Sequence, residues 1–133
     1  MLTTGVDLVD IARVERVMQR HGERFLQRIY TEGERTFARG QPAELAARFA
    51  AKEAVAKALG VGMRLLSPLG VSWHEIEVLN ERSGRPYVVL HGRAQALARS
   101  QGLTEWSISL SHDGGMAIAF VVAMGKSKIE NDK

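Results

Sequence analysis

Residues 48–60 read RFAAKEAVAKALG, and this segment is the best starting point for understanding the whole chain. Eight of these thirteen residues are apolar, most of them alanine, so the segment predicts a helix. The helix is expected to begin near Pro42, since proline is favoured in a first turn, and to run to about Leu59. Its apolar face consists of Leu45, Phe49, Ala56 and Leu59, with Lys52 in the middle. Lys52 must therefore either extend its charge to solvent or meet a partner.

Glu53 and Lys57 lie one turn apart on a second face of this helix, beside small alanine side chains. One interpretation is a surface ion pair that stabilises the helix by about 0.3–0.5 kcal/mol. The other is a carboxylate for a divalent metal ion and an ammonium group for a phosphate, both held on a rigid helix beside an open cleft. The second interpretation requires another carboxylate elsewhere in the chain.

The segment that precedes this helix predicts one strand and then helices. The sequence LTTGVDLV at 2–9 mixes β-branched and apolar residues, and Asp10 can cap a helix that starts at Ile11. Apolar residues recur at helical spacing from there to Tyr30, with a break or kink expected at Gly22. The same segment carries a second stripe, formed by Arg13, Arg20, Arg24 and Arg28.

The remaining elements follow from capping residues, glycines and alternation. Thr31 and Glu34 have the spacing of a capping box, and Gly60 and Gly62 are expected to end the long helix. After a loop at 67–70, we expect two strands, at 71–80 and 87–90, joined by a turn at 81–84. A helix at 93–100, closed by Gly102, should follow. The last two strands are expected at 106–111 and 116–123, joined by a turn at 112–115. The last strand is continuously apolar, which is typical of a strand buried on both faces.

This order of elements predicts a single α+β domain around an antiparallel sheet, covering residues 1–124 and followed by a flexible tail at 125–133. The chain has 133 residues, a net charge of +3 and no cysteine, so thiolate metal sites, disulfides and cysteine nucleophiles are excluded. No segment has the pattern of an export signal or the length of a membrane span, and we expect a soluble protein of the cytoplasm.

Several motifs in combination resemble those of the holo-acyl-carrier-protein synthase type of 4'-phosphopantetheinyl transferase. They are GVDLVDIARV at 5–14, FLQRIYTEGE at 25–34, RFAAKEAVAKALG at 48–60, GRP at 84–86 and SISLSHDGGMAIAFVV at 107–122. The resemblance covers nearly the whole chain and implies the fold of these transferases, an antiparallel sheet packed with helices. It also implies an enzyme that moves the phosphopantetheine arm of coenzyme A onto a serine of an acyl carrier protein, with Mg²⁺ as cofactor, in support of fatty acid synthesis.

The resemblance assigns roles to the charged residues. Asp7 and Glu53 would be the magnesium ligands, and Mg²⁺ does prefer a few carboxylates together with water and substrate phosphates. Lys57 would stabilise or protonate the leaving adenosine 3',5'-bisphosphate, whereas the base for the serine proton is either Glu53 or a metal-bound water. Lys52 would lie at the site, touching a phosphate or orienting Glu53. From the pattern alone, Asp7 could equally be a residue of a turn or of a helix start.

Other residues are expected to hold the nucleotide. By the same resemblance these are Arg48, Arg85, Pro86, Ser111 and His112. Each also has a simpler interpretation: a solvated helix arginine at 48, a turn at 84–86, and a polar hairpin turn at 112. The Asp-Gly-Gly that follows His112 departs from the family pattern.

The arginine stripe would bind the acidic carrier protein, because the family docks its carrier on the first helix and Arg13 matches its motif arginine. Met18 and Phe25 could add apolar contacts or could be core residues. The resemblance also implies a homotrimer with active sites shared between subunits. The competing hypotheses are a basic binding module for RNA or an acidic protein, and a catalytically silent scaffold. The few aromatic residues are not interleaved with the arginines, so we expect no nucleic acid as partner, and no membrane.

Overall fold

The first strand, β1 (Leu2–Asp10), leads directly into helix α1 (Ile11–His21). Asp10 caps this helix as predicted, because its carboxylate accepts a hydrogen bond from the Ala12 amide at 3.0 Å. Gly22 has a φ of 56° and separates α1 from a short second helix, α2 (Glu23–Ile29). The expected break at this glycine is therefore confirmed. In the computed structural model, residues 1–63 and 70–125 are described.

The next two helices begin at the predicted caps. Thr31 and Glu34 form a reciprocal capping box at the start of α3 (Glu32–Ala38). Helix α4 (Pro42–Ala58) has proline in its first turn and is buried along most of its length, as an alanine-rich central helix should be. Helix α4 therefore forms the core of the domain.

A three-stranded antiparallel sheet lies against α4, with the strand order β1-β5-β4. Strands β4 (Glu105–Asp113) and β5 (Met116–Met124) form a hairpin whose two-residue turn is Gly114–Gly115. Both glycines have positive φ, at 57° and 80°, which a tight hairpin turn of this length requires. His112 and Asp113 thus belong to β4 rather than to the turn.

Strand β5 is not buried on both faces within this chain, and that prediction is wrong. Its small side chains face α4, and its large ones face outward because the helix leaves room only for small residues. The buried set is Ala117, Ala119, Val121 and Ala123, whereas the large residues Met116, Ile118, Phe120 and Met124 are exposed.

A second antiparallel sheet among the described residues consists of β2 (Ile76–Asn80) and β3 (Pro86–Leu90). The predicted strand at 71–80 is wrong in its first half, because Trp73–Glu75 form a 3₁₀ turn. The Glu75 carboxylate folds this turn by accepting hydrogen bonds from the Ser72 amide and hydroxyl at 2.7 and 3.0 Å. Helix α5 (Gly92–Ser100) follows β3, close to the predicted helix.

The predicted loop at 67–70 and the predicted tail at 125–133 lie almost entirely outside the described residues. Within residues 1–63 and 70–125, no helix combines the length and the apolar character needed to cross a membrane.

Candidate active site

Strand β1 approaches the backbone of α4 unusually closely at Gly5. A Cβ atom built on Gly5 would lie 1.9 Å from the carbonyl oxygen of Ala54, so only glycine allows this approach. Asp7 is two residues further along the same strand, and Glu53 and Lys57 are on the facing part of the helix. The close contact therefore explains how residues almost fifty positions apart in the sequence reach one site.

Asp7, Glu53 and Lys57 form one charged cluster, as the motifs suggested. Lys57 Nζ lies 2.9 Å from Asp7 Oδ1 and also donates to the Val6 carbonyl at 3.0 Å. Asp7 lies inside β1 opposite Ala119, so it is neither a turn residue nor the cap of α1. The ion pair seen for Lys57 is with Asp7, not with Glu53 as the simple surface-pair interpretation required.

The carboxyl group of Glu53 is electrostatically unusual. Partial burial raises its pKa, and the neighbouring Asp7 carboxylate, to which it is hydrogen-bonded, raises it further. Lys57 and Arg13 oppose this shift with their positive charges. Two neighbouring carboxylates of this kind form a site where a divalent cation can bind, because the cation offsets their mutual repulsion.

The donor set at this point suits a hard divalent cation such as Mg²⁺. The described residues contain no group of three or more histidine, cysteine, aspartate or glutamate side chains that could hold a metal ion on their own. Asp7 and Glu53 offer hard carboxylate oxygens, and Mg²⁺ typically fills its remaining positions with water and substrate phosphate. A metal ion bound here would therefore depend on the substrate for part of its coordination.

The charged cluster opens into a cavity of about 330 Å³, which we call the carboxylate cleft. Asp7, Asp10, Glu53 and Arg13 supply its polar side, and Arg13 belongs to α1. Phe25 and Phe49 belong to its apolar wall. Phe25 thus lines the cleft while it also packs against the core, so both of its predicted roles are compatible; Met18 packs against the same part of the core. The apolar wall is completed by Leu8, Val9, Val14 and Val17.

Arg48 is the centre of a second site. The predicted alternative of a solvated helix arginine is wrong, since its side chain is 1 % exposed. Its Nη1 donates to the Glu44 carboxylate at 2.8 Å, its Nη2 donates to the Asn80 side chain, and its guanidinium lies 4.5 Å above the Phe37 ring. Arg48 Nε is buried and has no partner among the described residues. An unpaired buried donor of this kind is a point where an anion can bind.

Four of the predicted nucleotide contacts converge on a cavity of about 270 Å³, which we call the arginine pocket. They come from three different elements, and they are Arg48, Pro86, Ser111 and His112. Arg85 is exposed beside Pro86 but does not belong to the described lining of this cavity. Phe37 and Asn80 could not be predicted as contacts of Arg48, because neither belongs to a recognisable motif. The i,i+4 spacing of Glu44 and Arg48 could have indicated their ion pair.

Lys52 is not placed as predicted. Its side chain is 0 % exposed, and Nζ lies 2.8 Å from the equally buried carboxylate of Glu34. It therefore neither reaches solvent nor lies open to a phosphate, because the core surrounds it on every side. The prediction that Lys52 contacts the nucleotide is wrong for this geometry.

The predicted arginine stripe is exposed but interrupted. Arg13 and Arg20 lie on α1, where with Arg16 and His21 they surround a shallow depression. Arg24 and Arg28 lie on α2, beyond the break at Gly22. The stripe is therefore a bent basic surface on two helices rather than one continuous face, and its end at Arg13 borders the carboxylate cleft.

Several known proteins are similar to this chain both in sequence and in architecture. Residues 3–122 match the 4'-phosphopantetheinyl transferase superfamily. A holo-[acyl-carrier-protein] synthase of Herpetosiphon aurantiacus is 51 % identical over 94 % of this chain and 100 % of its own, and one of Moorella thermoacetica is 46 % identical over 99 % of both. The crystal structure of the Helicobacter pylori holo-[acyl-carrier-protein] synthase in complex with coenzyme A superposes with a TM-score of 0.80 at 31 % identity, covering 91 % of this chain and 99 % of that one.

Proposed function

Because the chain belongs to the 4'-phosphopantetheinyl transferase superfamily, we propose that its carboxylate cleft transfers 4'-phosphopantetheine from coenzyme A to a serine of an apo acyl carrier protein. The observation that carries the proposal is the convergence of Asp7, Glu53 and Lys57 in one charged cluster, whose two carboxylates line the cleft. The products are the holo carrier protein and adenosine 3',5'-bisphosphate, and the reaction serves fatty acid synthesis.

The reaction is a phosphoryl transfer at the β-phosphorus of coenzyme A. The serine oxygen forms a bond to this phosphorus, and the bond to the oxygen that bridges the two phosphates breaks. Catalysis of such a step comes largely from positioning and from neutralising the charge on phosphate oxygens. Asp7 and Glu53 would hold Mg²⁺, which when bound supplies positive charge to the pyrophosphate and polarises the phosphorus. Their chemistry as hard, adjacent carboxylates fits this ion.

Lys57 supplies positive charge without the metal ion. Its side chain is 54 % exposed, so the ammonium group can exchange its contact with Asp7 for one with a phosphate oxygen at little cost. We assign to it the stabilisation of the negative charge that develops on the leaving bisphosphate. Glu53 is the carboxyl group in the cleft whose pKa is raised, and we assign to it the acceptance of the serine proton.

The arginine pocket would hold a phosphate of the nucleotide. The positive charge of Arg48, which lines this pocket, supports the role. Pro86, Ser111 and His112 border the same cavity, and the exposed Arg85 lies beside it. Coenzyme A is the ligand in the Helicobacter pylori structure to which this chain is similar.

The bent basic surface on α1 and α2 would receive the acidic carrier protein. Arg13 borders both this surface and the carboxylate cleft, so a carrier bound there would have its serine near the reacting centre. The electrostatic attraction would raise the association rate and make it sensitive to salt.

The family resemblance implies a homotrimer, and the apolar, exposed outer face of the three-stranded sheet supports association between copies of the chain. Val6, Leu8, Ile118 and Phe120 lie on neighbouring strands of this face and are 37–58 % exposed. An apolar patch on a sheet favours association with other copies of the chain. Phe120→Glu should convert the assembly to a monomer, which light scattering coupled to gel filtration would detect.

The experiment that tests the activity is intact-mass analysis of an apo acyl carrier protein incubated with this protein, coenzyme A and Mg²⁺. We expect a gain of one phosphopantetheine, prevented by EDTA and lost in Glu53→Gln, which keeps the size of the side chain. No gain with several carrier proteins, from a folded preparation, would refute the transferase and favour a binding module or a silent scaffold.

A further inference from the structure

The buried ion pair between Lys52 and Glu34 has all of its polar atoms engaged. Lys52 Nζ contacts Glu34 Oε1 at 2.8 Å and donates to the carbonyls of Trp73 and Ile76 at 2.8 and 2.6 Å. These three contacts use all three protons of the ammonium group. Glu34 in turn accepts from the Thr31 amide and the Val78 amide, both at 2.8 Å.

The backbone groups around the ion pair determine which position holds the cation and which holds the anion. The ammonium group faces two carbonyl oxygens, and the carboxylate faces two amide protons. Exchanging the two side chains would place an ammonium group against N–H donors and a carboxylate against C=O acceptors. Replacing both by apolar residues would remove the present partners of four backbone groups, two of them in buried and two in partly buried contacts. The pair therefore differs from a buried ion pair that apolar residues can replace without loss of stability.

The backbone groups that it binds belong mainly to one element, β2, whose Ile76 and Val78 side chains pack into the core. Three of the four lie in β2 or in the 3₁₀ turn that leads into it, and β2 pairs only with β3 in the described sheets. A two-stranded sheet is marginally stable without further packing. The pair thus attaches this hairpin to α4 at Lys52 and to α3 at Glu34.

The same hairpin forms one wall of the arginine pocket. Asn80 at the end of β2 and Pro86 at the start of β3 both line it, and Asn80 also accepts a hydrogen bond from Arg48. Arg48 is one helical turn before Lys52 on α4. The two cations therefore bind the two ends of β2 from neighbouring turns of one helix.

We propose that the Lys52–Glu34 pair is a positioning device that sets the β2–β3 hairpin against α4 and so shapes the arginine pocket for its nucleotide. The consequence for catalysis rests on the proposed function of that pocket. Lys52 acts through the hairpin rather than on the substrate, and it is not among the residues that line the carboxylate cleft.

Lys52→Met and the milder Glu34→Gln test the proposal. We expect the KM for coenzyme A to rise at least ~5-fold, while kcat at saturation changes less than ~2-fold. In Glu34→Gln, hydrogen exchange should become faster at the amides of Thr31 and Val78, which lose a charged acceptor. Val121→Ala is the matched control, since it removes buried volume from the three-stranded sheet; it should lower stability and leave the KM unchanged.

The charge-exchanged double variant Glu34→Lys/Lys52→Glu gives the sharpest outcome. If it recovered wild-type stability and KM, the pair would be an ordinary charge pair and the proposal would be refuted. A KM that is unchanged in both single variants, or raised equally in the control, would also refute it. If the wild-type protein does not bind coenzyme A, the proposed function fails instead, and the exchange rates still test the attachment of the hairpin.

Discussion

Substituting Gly5 by alanine should disable the site from a position that contacts no substrate. The added Cβ would lie 1.9 Å from the Ala54 carbonyl oxygen, whereas ordinary contact begins at 3.4 Å. The strand must therefore move away from α4 by about 1.5 Å, because the obstacle is backbone and no rotamer change can remove it. Truncating the Ala54 side chain would not relieve the clash for the same reason.

A displacement of this size acts directly on the reacting centre. It is enough to break the 2.9 Å ion pair between Asp7 and Lys57 and to separate Asp7 from Glu53. We expect kcat to fall by about 10²-fold, since a misplacement of about 1 Å has this effect on catalytic groups. The overpacked contact should also lower the free energy of unfolding by about 1–3 kcal/mol.

The assay is the steady-state rate of carrier modification across a Mg²⁺ titration, together with urea unfolding. Gly62→Ala is the matched control, because a Cβ there meets nothing within 4 Å. A Gly5→Ala protein with wild-type kcat and an unchanged Mg²⁺ requirement would show that the close contact does not set the distance between the carboxylates.

Three further predictions concern individual charges. Lys57→Ala should lower kcat by more than it weakens coenzyme A binding measured by calorimetry; the opposite ratio would make Lys57 a binding residue. Reversing the charges of Arg13 and Arg24 should raise the KM for the carrier protein, with a weaker salt dependence and little change for coenzyme A; equal losses for both substrates would contradict carrier docking. Because the pKa of Glu53 is raised, metal-free protein should lose stability as the pH rises through that pKa, and Mg²⁺ should restore it there and become less effective at lower pH. Thermal melts at several pH values with and without EDTA would show this, and a stabilisation by Mg²⁺ that is independent of pH would count against the metal site.

Local signals in the sequence predicted most of the helix and strand boundaries correctly. Asp10, Thr31 and Pro42 start helices because their effects depend on residues only a few positions away. The same kind of signal is present at Ser72, where the S-x-x-E spacing to Glu75 produces a 3₁₀ turn in place of the first half of the predicted strand. The start of this turn is therefore also encoded locally in the sequence.

Contacts between distant residues account for the other errors. The spacing of Lys52 showed that it faces the core, but nothing in its neighbourhood indicates that Glu34, on another helix, is its partner. The alternation of small and large residues in β5 was also present in the sequence, yet which face meets a helix depends on the packing of α4. The convergence of Asp7 with Glu53 was suggested by the family resemblance, and its physical cause, the close approach at Gly5, became visible only in three dimensions.

The pairing of β1 with β5 has a consequence for how the protein is made. It joins Leu2 to Met124 and Asp7 to Ala119, so the two ends of the chain form adjacent strands of one sheet. Pairings this distant in sequence form slowly, since a long loop must close before they contribute. During translation β1 has no strand partner until β5 has been synthesised, and its apolar residues are meanwhile exposed to other chains. The closure of the three-stranded sheet is therefore a late step of folding, and association with other chains competes with it until then.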